Sequence, residues 1–348
     1  MKNTLFRTAT ALAVMIPTLF MAGQSQAEDL SAAEAFYDGN TINWIVPYSP
    51  GGGYDEYSRL IIPYFEKYTG ARVRLQNNPG AGGMRGANDI YRAPKDGLTV
   101  GIVNGSALVT NQLADIEGAI YEFENYGFLG RMVADQRVLA ISTTGEFDTI
   151  EEMLEAGSTF KIGATGLGGS TYVDALVAGE LFNLDQDIIH GFDSSSVIRQ
   201  AMLRRDIVGM WGSYGSAIQD VEDGMQKIVL QSGQERTDAI PDAPTVLELA
   251  ERMQVGDEKM AVLRAWQGLN DVGRPVVTPP GIPADRLAFL QRAFEQAMND
   301  PEMIEEAQSS GRDLTFANGE RMAQIATDAA VMPESAEAFF VEAVAGGI

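Results

Sequence analysis

Short apolar runs alternate along this chain with stretches whose apolar residues recur every three or four positions. TINWIVPY (41–48) has the β-branched and aromatic content of a strand. Behind it Tyr57, Leu60, Ile61, Tyr64, Phe65 and Tyr68 repeat at helical spacing, with Pro63 as an expected kink and Gly70 as the stop. ARVRLQN (71–77) is the second strand, and a short helix over 84–93 is halted by Pro94. The turn Lys95-Asp96-Gly97 then leads into LTVGIVN (98–104), which ends in the polar turn Asn104-Gly105-Ser106. This βαβαβ order implies a parallel sheet whose loops gather at one edge.

The middle of the chain repeats the scheme. FKIGATG (160–166), DIIHGF (187–192), IVGMWGSY (207–214) and QKIVLQS (226–232) read as strands. An amphipathic helix spans 172–182, and Ser194, Ser195 and Ser196 offer caps for a helix carrying Val197, Ile198, Ala201 and Met202. From Ile282 onward the pattern is mainly helical, strongest over 285–298. No linker rich in Pro and Ser and no low-complexity tract interrupts the chain. The expected fold class is α/β, with two units joined by chain that passes straight between them and a cleft where their loops face each other.

Residues 1–27 change where this fold is expected to work. Lys2 and Arg7, an apolar core over 9–22 and Ser25-Gln26-Ala27 have the form of a cleavable signal peptide, cut after Ala27. The remaining 321 residues, 348 less 27, are then expected in the periplasm as a soluble chain. With no Cys and His190 as the sole histidine, thiolate sites and sites of several imidazoles are excluded, and no metal or cofactor is expected. The formal charge of −23 argues against nucleic acid and anionic lipid as partners. That charge is uneven: residues 28–100 hold seven Lys/Arg against nine Asp/Glu, a net of only −2.

The nearly neutral segment contains two glycine-rich loops, VPYSPGGGYDEYSR (46–59) and NNPGAGGMRG (77–86), each between a strand and a helix. Bare backbone N–H groups at a helix start suit an anion. Loop two is not a dinucleotide fingerprint, because after Gly80 and Gly82 the third glycine, Gly86, comes one residue late. The glycine-rich stretch at 163–171 lacks the lysine of a P-loop. No GxSxG elbow accompanies His190, so no nucleophile–base pair is evident and catalysis is not expected. Asp55 suits a helix cap more readily than contact with an anion. Trp44, Trp211 and Trp266 lie in strand-like runs. Trp44 is expected in the core, whereas Trp211, at a strand end beside Gly212-Ser213, is open to either packing or ligand contact.

The pairing of PGGxxD with NxPGAGGxxGA resembles the extracytoplasmic solute receptors of tripartite tricarboxylate transporters, the Bug or TctC family. The resemblance extends through APKDGLTVGIVN (93–104), GATGLGGSTYVDALVAGELF (163–182) and IPDAPTVLELA (240–250). It implies a two-domain periplasmic binding protein of the Venus flytrap kind, type II-like, each domain a mainly parallel sheet flanked by helices. One domain would comprise 28–131 plus 264–348 and the other 132–263, with crossings near 128–141 and 262–273.

The resemblance also implies a small carboxylate ligand, a two-subunit membrane permease as partner and a monomeric receptor. Carried onto this sequence, loop one would contribute Tyr48, Pro50, Gly51, Gly52, Tyr54 and Asp55. Loop two would contribute Gly80, Ala81, Gly82, Gly83 and Met84, followed by Asn104 and Ser106. The second domain would read the rest of the solute with Thr165, Gly169, Ser170 and Thr171, together with Trp211 and Ser213. Tyr54 and Gly212-Ser213 depart from many relatives and point to a carboxylate with an apolar or aromatic body. Presentation of the solute to a membrane signalling kinase is the alternative role that the same ligand chemistry allows.

Overall fold

Two separate sheets organise the computed structural model, which describes residues 30–345. The expected leader lies outside the described residues. In chain order the strands are β1 (Thr41–Val46), β2 (Arg72–Asn77), β3 (Thr99–Ile102), β4 (Gly127–Arg131), β5 (Arg137–Ser142), β6 (Phe160–Gly163), β7 (Gln186–Ile189), β8 (Gly209–Ser213), β9 (Gln226–Gln231), β10 (Pro275–Thr278) and β11 (Ala317–Asn318). The first sheet has the order β11-β4-β10-β3-β1-β2 and the second β7-β6-β8-β5-β9.

Both sheets are mixed. β1, β2 and β3 pair in parallel, as do β7, β6 and β8. β10 runs antiparallel to both of its neighbours, and so does β5. These two reversed strands are the first that the chain enters after crossing from one sheet to the other. The residues of β3 and β5 are buried throughout, as strands covered on both faces must be.

The helices form where the apolar spacing predicts. Gly53–Thr69 continues unbroken through Pro63, and Gly70 closes it at φ 68°. Its buried face meets Trp44, whose ring lies 5.6 Å from Phe65 and whose indole donates to Ser58 Oγ at 2.9 Å. The expected 285–298 helix is Ala284–Met298, with Phe289, Leu290, Ala293, Phe294 and Ala297 turned into the same core.

One expectation is overturned here. Trp266 is not in a strand-like run but in the helix Asp257–Asn270, whose buried residues Val262, Leu263, Trp266 and Leu269 follow helical spacing. Among the described residues no helix is long and apolar enough to cross a membrane.

Candidate functional site

Five strands end at one place. β1, β3, β6, β7 and β8 each run at their carboxyl ends into a helix, and the five helix starts converge on a cavity. The helix Gly53–Thr69 contributes Gly52, Gly53 and Tyr54, and Asn104 caps Gly105–Leu113. Ser170 and Thr171 open Ser170–Phe182; Ser194 and Ser195 open Ser195–Leu203; Ser213 and Ser216 flank the start of Tyr214–Glu222. First-turn N–H groups have no partner within their own helix, and the aligned peptide dipoles place partial positive charge at that end. Five such ends around one space attract an anion.

Two arginines complete the wall. Arg274, ahead of β10, and Arg137, the first residue of β5, both line the cavity and are both buried. The Arg274 guanidinium is sandwiched, with its carbon 4.6 Å from the ring centres of Tyr54 and Tyr57 alike. Those tyrosines stand three apart on one helix and so share a face. Nη2 of Arg274 reaches Asp135 at 3.4 Å, Ser216 Oγ at 3.1 Å and Ser213 Oγ. Arg137 donates to Asp174 at 2.6 Å and to Asp135 at 3.0 Å, and the Trp266 indole donates to Asp174 at 2.8 Å.

Burial works against the charge on both guanidiniums. Asp135, joined at Arg137 by Asp174, outweighs that penalty and holds both above their ordinary pKa. Three buried nitrogens of these two guanidiniums have no partner: Nη2 of Arg137 and Nε and Nη1 of Arg274. Unmatched donors of this kind are costly in a protein interior. A carboxylate would satisfy them, and the planar fork suits its two oxygens.

Of the residues expected at the site, the cavity brings together Tyr48, Gly52, Tyr54 and Asn104 with Thr165, Ser170, Thr171 and Ser213. Tyr48 donates to Gly82 O at 2.8 Å, and burial pushes its phenol up to about 12, so it stays protonated. Asn104 Nδ2 reaches both the Tyr48 hydroxyl at 3.0 Å and Ser170 Oγ at 2.8 Å, a direct bond from the first-sheet unit to the second.

The rest of both loops lies behind this wall. Pro50 and Gly51 offer carbonyls to the facing helix: Ser196 Oγ donates to Pro50 O at 3.2 Å and Arg199 to Gly51 O at 3.1 Å. Ser106 donates to Asn104 Oδ1 at 3.1 Å, and Met84 packs on the core. Gly80, Ala81, Gly82, Gly83 and Gly169 do not line the cavity. Glycine is needed here for contact between backbones. A Cβ on Gly82 would lie 2.8 Å from Gly169 N, and one on Gly166 would lie 2.4 Å from Gly82 N.

Asp55 also faces away from the cavity. It accepts from Gly51 N at 3.0 Å, from Asn77 at 3.0 Å and from Nε and Nη2 along one edge of the Arg59 guanidinium, which ties loop one to the end of β2. Burial would raise its pKa, but the bonds from Arg59, Gly51 and Asn77 prevail and lower it. A depressed carboxyl contributes stability above its unfolded value near ~4 and loses it as pH falls through the lower folded value. Asp55→Asn is therefore expected to melt earlier than the parent at pH 7. The gap should close as melts are repeated below about pH 4.

Trp211 resolves to packing rather than ligand contact. Gly212 and Ser213 meet the cavity, whereas Trp211 does not line it. Its ring lies edge-on to Trp266 at 5.2 Å, fully buried. The two arginines are the residues that sequence reasoning missed. They stand 137 positions apart and belong to no motif. The available signal is a charged residue at the head of the apolar runs RVLAIS and RPVVT.

Comparison with known proteins agrees with the two-sheet fold. The model of the "Tripartite tricarboxylate transporter family receptor" matches residues 59–334. A UPF0065 protein from the tcbD-tcbE intergenic region of Pseudomonas sp. (strain P51) is 23% identical over 274 residues, 78% of this chain and 77% of that protein. Among solved structures, the periplasmic binding protein BugD superposes with a TM-score of 0.74 at 20% identity, covering 87% of this chain and 97% of that one. MatC (Rpa3494) from Rhodopseudomonas palustris with bound malate gives 0.69 at 19% identity, covering 88% and 99%.

Proposed function

The chain belongs to the tripartite tricarboxylate transporter receptor family, and on that footing we propose that it captures a small carboxylate in the cleft between its two sheets for delivery to a membrane permease. The observation that carries this reading is the pair of buried arginines with unpartnered N–H groups among five helix starts. Neutral donors alone can hold a carboxylate. Here two guanidiniums, balanced in charge by Asp135 and Asp174, add fixed donors where little water competes. The structural relative MatC has bound malate, a carboxylic acid, which supports an acid as the class of solute.

The reading places the protein in the periplasm as a monomer. Its domains are 28–131 plus 264–348 and 132–263, and it carries out no chemistry on the solute. The cavity encloses only about 40 Å³, close to the share of one water. An organic acid enters with the two halves apart, and closure around it follows from contacts that only the closed form provides.

A melting screen of the purified protein against carboxylates, amines and neutral sugars tests this. A carboxylate at a hundred times its Kd is expected to add about 2.7 kcal/mol of stability. Stabilisation by amines or sugars and by no carboxylate would overturn the assignment.

A further inference from the structure

Four buried atoms on the side chains that line the cavity have no hydrogen-bond partner. They are Nη2 of Arg137, Nε and Nη1 of Arg274, and the Tyr54 hydroxyl. All four carry hydrogen. The neighbouring hydroxyls of Tyr48, Ser170, Ser213 and Ser216 are already engaged. Among the described residues the unpartnered buried side-chain carbonyls are Asn111 Oδ1 and Gln226 Oε1, and neither residue lines this cavity.

Tyr54 and Tyr57 both rest on Arg274, but their hydroxyls end differently. That of Tyr57 donates to Asp313 O at 2.9 Å. That of Tyr54 is unpaired, although its ring is fixed against the Arg274 guanidinium at 4.6 Å and the Tyr48 ring at 4.7 Å. Burial, reinforced by Asp135, holds the Tyr54 phenol well above its ordinary pKa, so it keeps its hydrogen. A buried hydroxyl of this kind costs stability until something accepts from it. Because its ring rests on the guanidinium, the hydroxyl lies within a short acid's length of the arginine fork. Tyr54 and Asn104 belong to one half of the molecule and Thr165 and Ser213 to the other, so separation of the halves widens this space.

A carboxylate has two oxygens, and the guanidinium N–H groups occupy them. The hydroxyl then calls for a third acceptor beside them. A ketone oxygen on the next carbon supplies one and brings no hydrogen of its own. An alcohol there adds an O–H, for which the lining side chains hold no unpaired carbonyl. An ammonium adds three donors and a charge. The nearby carboxylates, Asp135 and Asp174, are already bound to the arginines.

Resting on the carboxylate reading above, we infer that the solute of this site is a 2-oxo acid and that Tyr54 selects it. The carboxylate lies at Arg137 and Arg274, and the Tyr54 hydroxyl donates to the ketone oxygen.

Calorimetric titration of the full protein with pyruvate, lactate, alanine and propanoate, and with 2-oxoglutarate beside glutarate, tests it. In whichever series binds, the 2-oxo acid is expected to bind at least about tenfold tighter than the acid without the ketone. Lactate and alanine should also bind more weakly than pyruvate. Tyr54→Phe keeps the ring against Arg274 and removes only the hydroxyl. It is expected to bring the ratio between 2-oxo acid and plain acid to within about threefold, a change of selectivity that a packing role would not produce. Plain, hydroxy or amino acids binding the parent as tightly as 2-oxo acids would overturn the inference and leave the carboxylate site standing. An undiminished ratio in Tyr54→Phe would remove Tyr54 as the selecting residue. Failure of every acid to bind would overturn the carboxylate reading itself.

Discussion

Arg274→Gln is expected to weaken carboxylate binding by about 30-fold or more, the effect of deleting one partner from a buried, hydrogen-bonded charge pair. Glutamine keeps a donor but loses the charge and the fork. It also loses the flat cation held between Tyr54 and Tyr57. Arg274→Lys should fall between the two, because an ammonium restores charge without two-point contact.

Stability will move as well. Asp135 would keep Arg137 as its partner at 3.0 Å, so the loss should sit at or below the low end of the roughly 3–5 kcal/mol seen when a buried pair is broken. Binding must therefore be titrated on protein shown to be folded, by circular dichroism at a temperature well below the melt. Affinity equal to the parent in a folded Arg274→Gln protein would remove the arginine from the site and the main support for an acid ligand.

This result bears on how the site is built. Asp135 bridges the arginines, with one carboxylate oxygen toward each. Asp135 and Arg137 lie where the chain first leaves the first sheet, and Arg274 where it returns. The ion-pair cluster thus joins the two crossings directly beneath the cavity. A carboxylate bound there touches both crossings at once, which links occupancy to the position of one half relative to the other.

Much of this was legible in the sequence, for a definite reason. Helices such as Gly53–Thr69 carry apolar periods that follow from which face is buried, whereas Ser170–Phe182, expected to be amphipathic, is buried on nearly every side. Helix starts follow from local glycine, serine and asparagine chemistry. The grouping of Tyr48, Tyr54, Asn104, Ser170 and Thr171 was implied by the family resemblance of the paired loops, not by the local pattern, and all five line the cavity. What stayed hidden depends on long-range contact. Arg137 and Arg274 look like ordinary surface charges at strand starts until the fold buries them together.

Tyr54, expected as surface for the solute, lines the cavity and also lies against the Arg274 guanidinium, a contact that no local pattern signals. Trp211, open to either role from its place at a strand end, is taken up by packing against Trp266. The glycines of loop two were read as an anion cradle. Where the structure places them, they meet another backbone. The same absence of side chains serves both purposes, so composition alone does not separate them.

That distinction can be tested at Gly166, and the expected effect is large. A methyl group added there would lie 2.4 Å from Gly82 N and 3.0 Å from Ala81 C, both backbone atoms that no rotamer change can move aside. Gly166 is not among the residues with positive φ, so alanine suits its own loop and meets resistance only when loop two approaches. Gly82→Ala would be a poorer probe, because at φ 63° it would strain its loop in every arrangement.

Gly166→Ala is expected to keep a thermal midpoint within a few degrees of the parent in the absence of solute. Its affinity should fall about a hundredfold, since apparent affinity drops in proportion to the population of the form that can bind. X-ray scattering with saturating carboxylate should show the parent contracting and the variant remaining extended. A variant that contracts and binds like the parent would mean that Gly82 and Gly166 do not meet in the bound state. The glycines of loop two would then be free to serve as the donors first read from their composition.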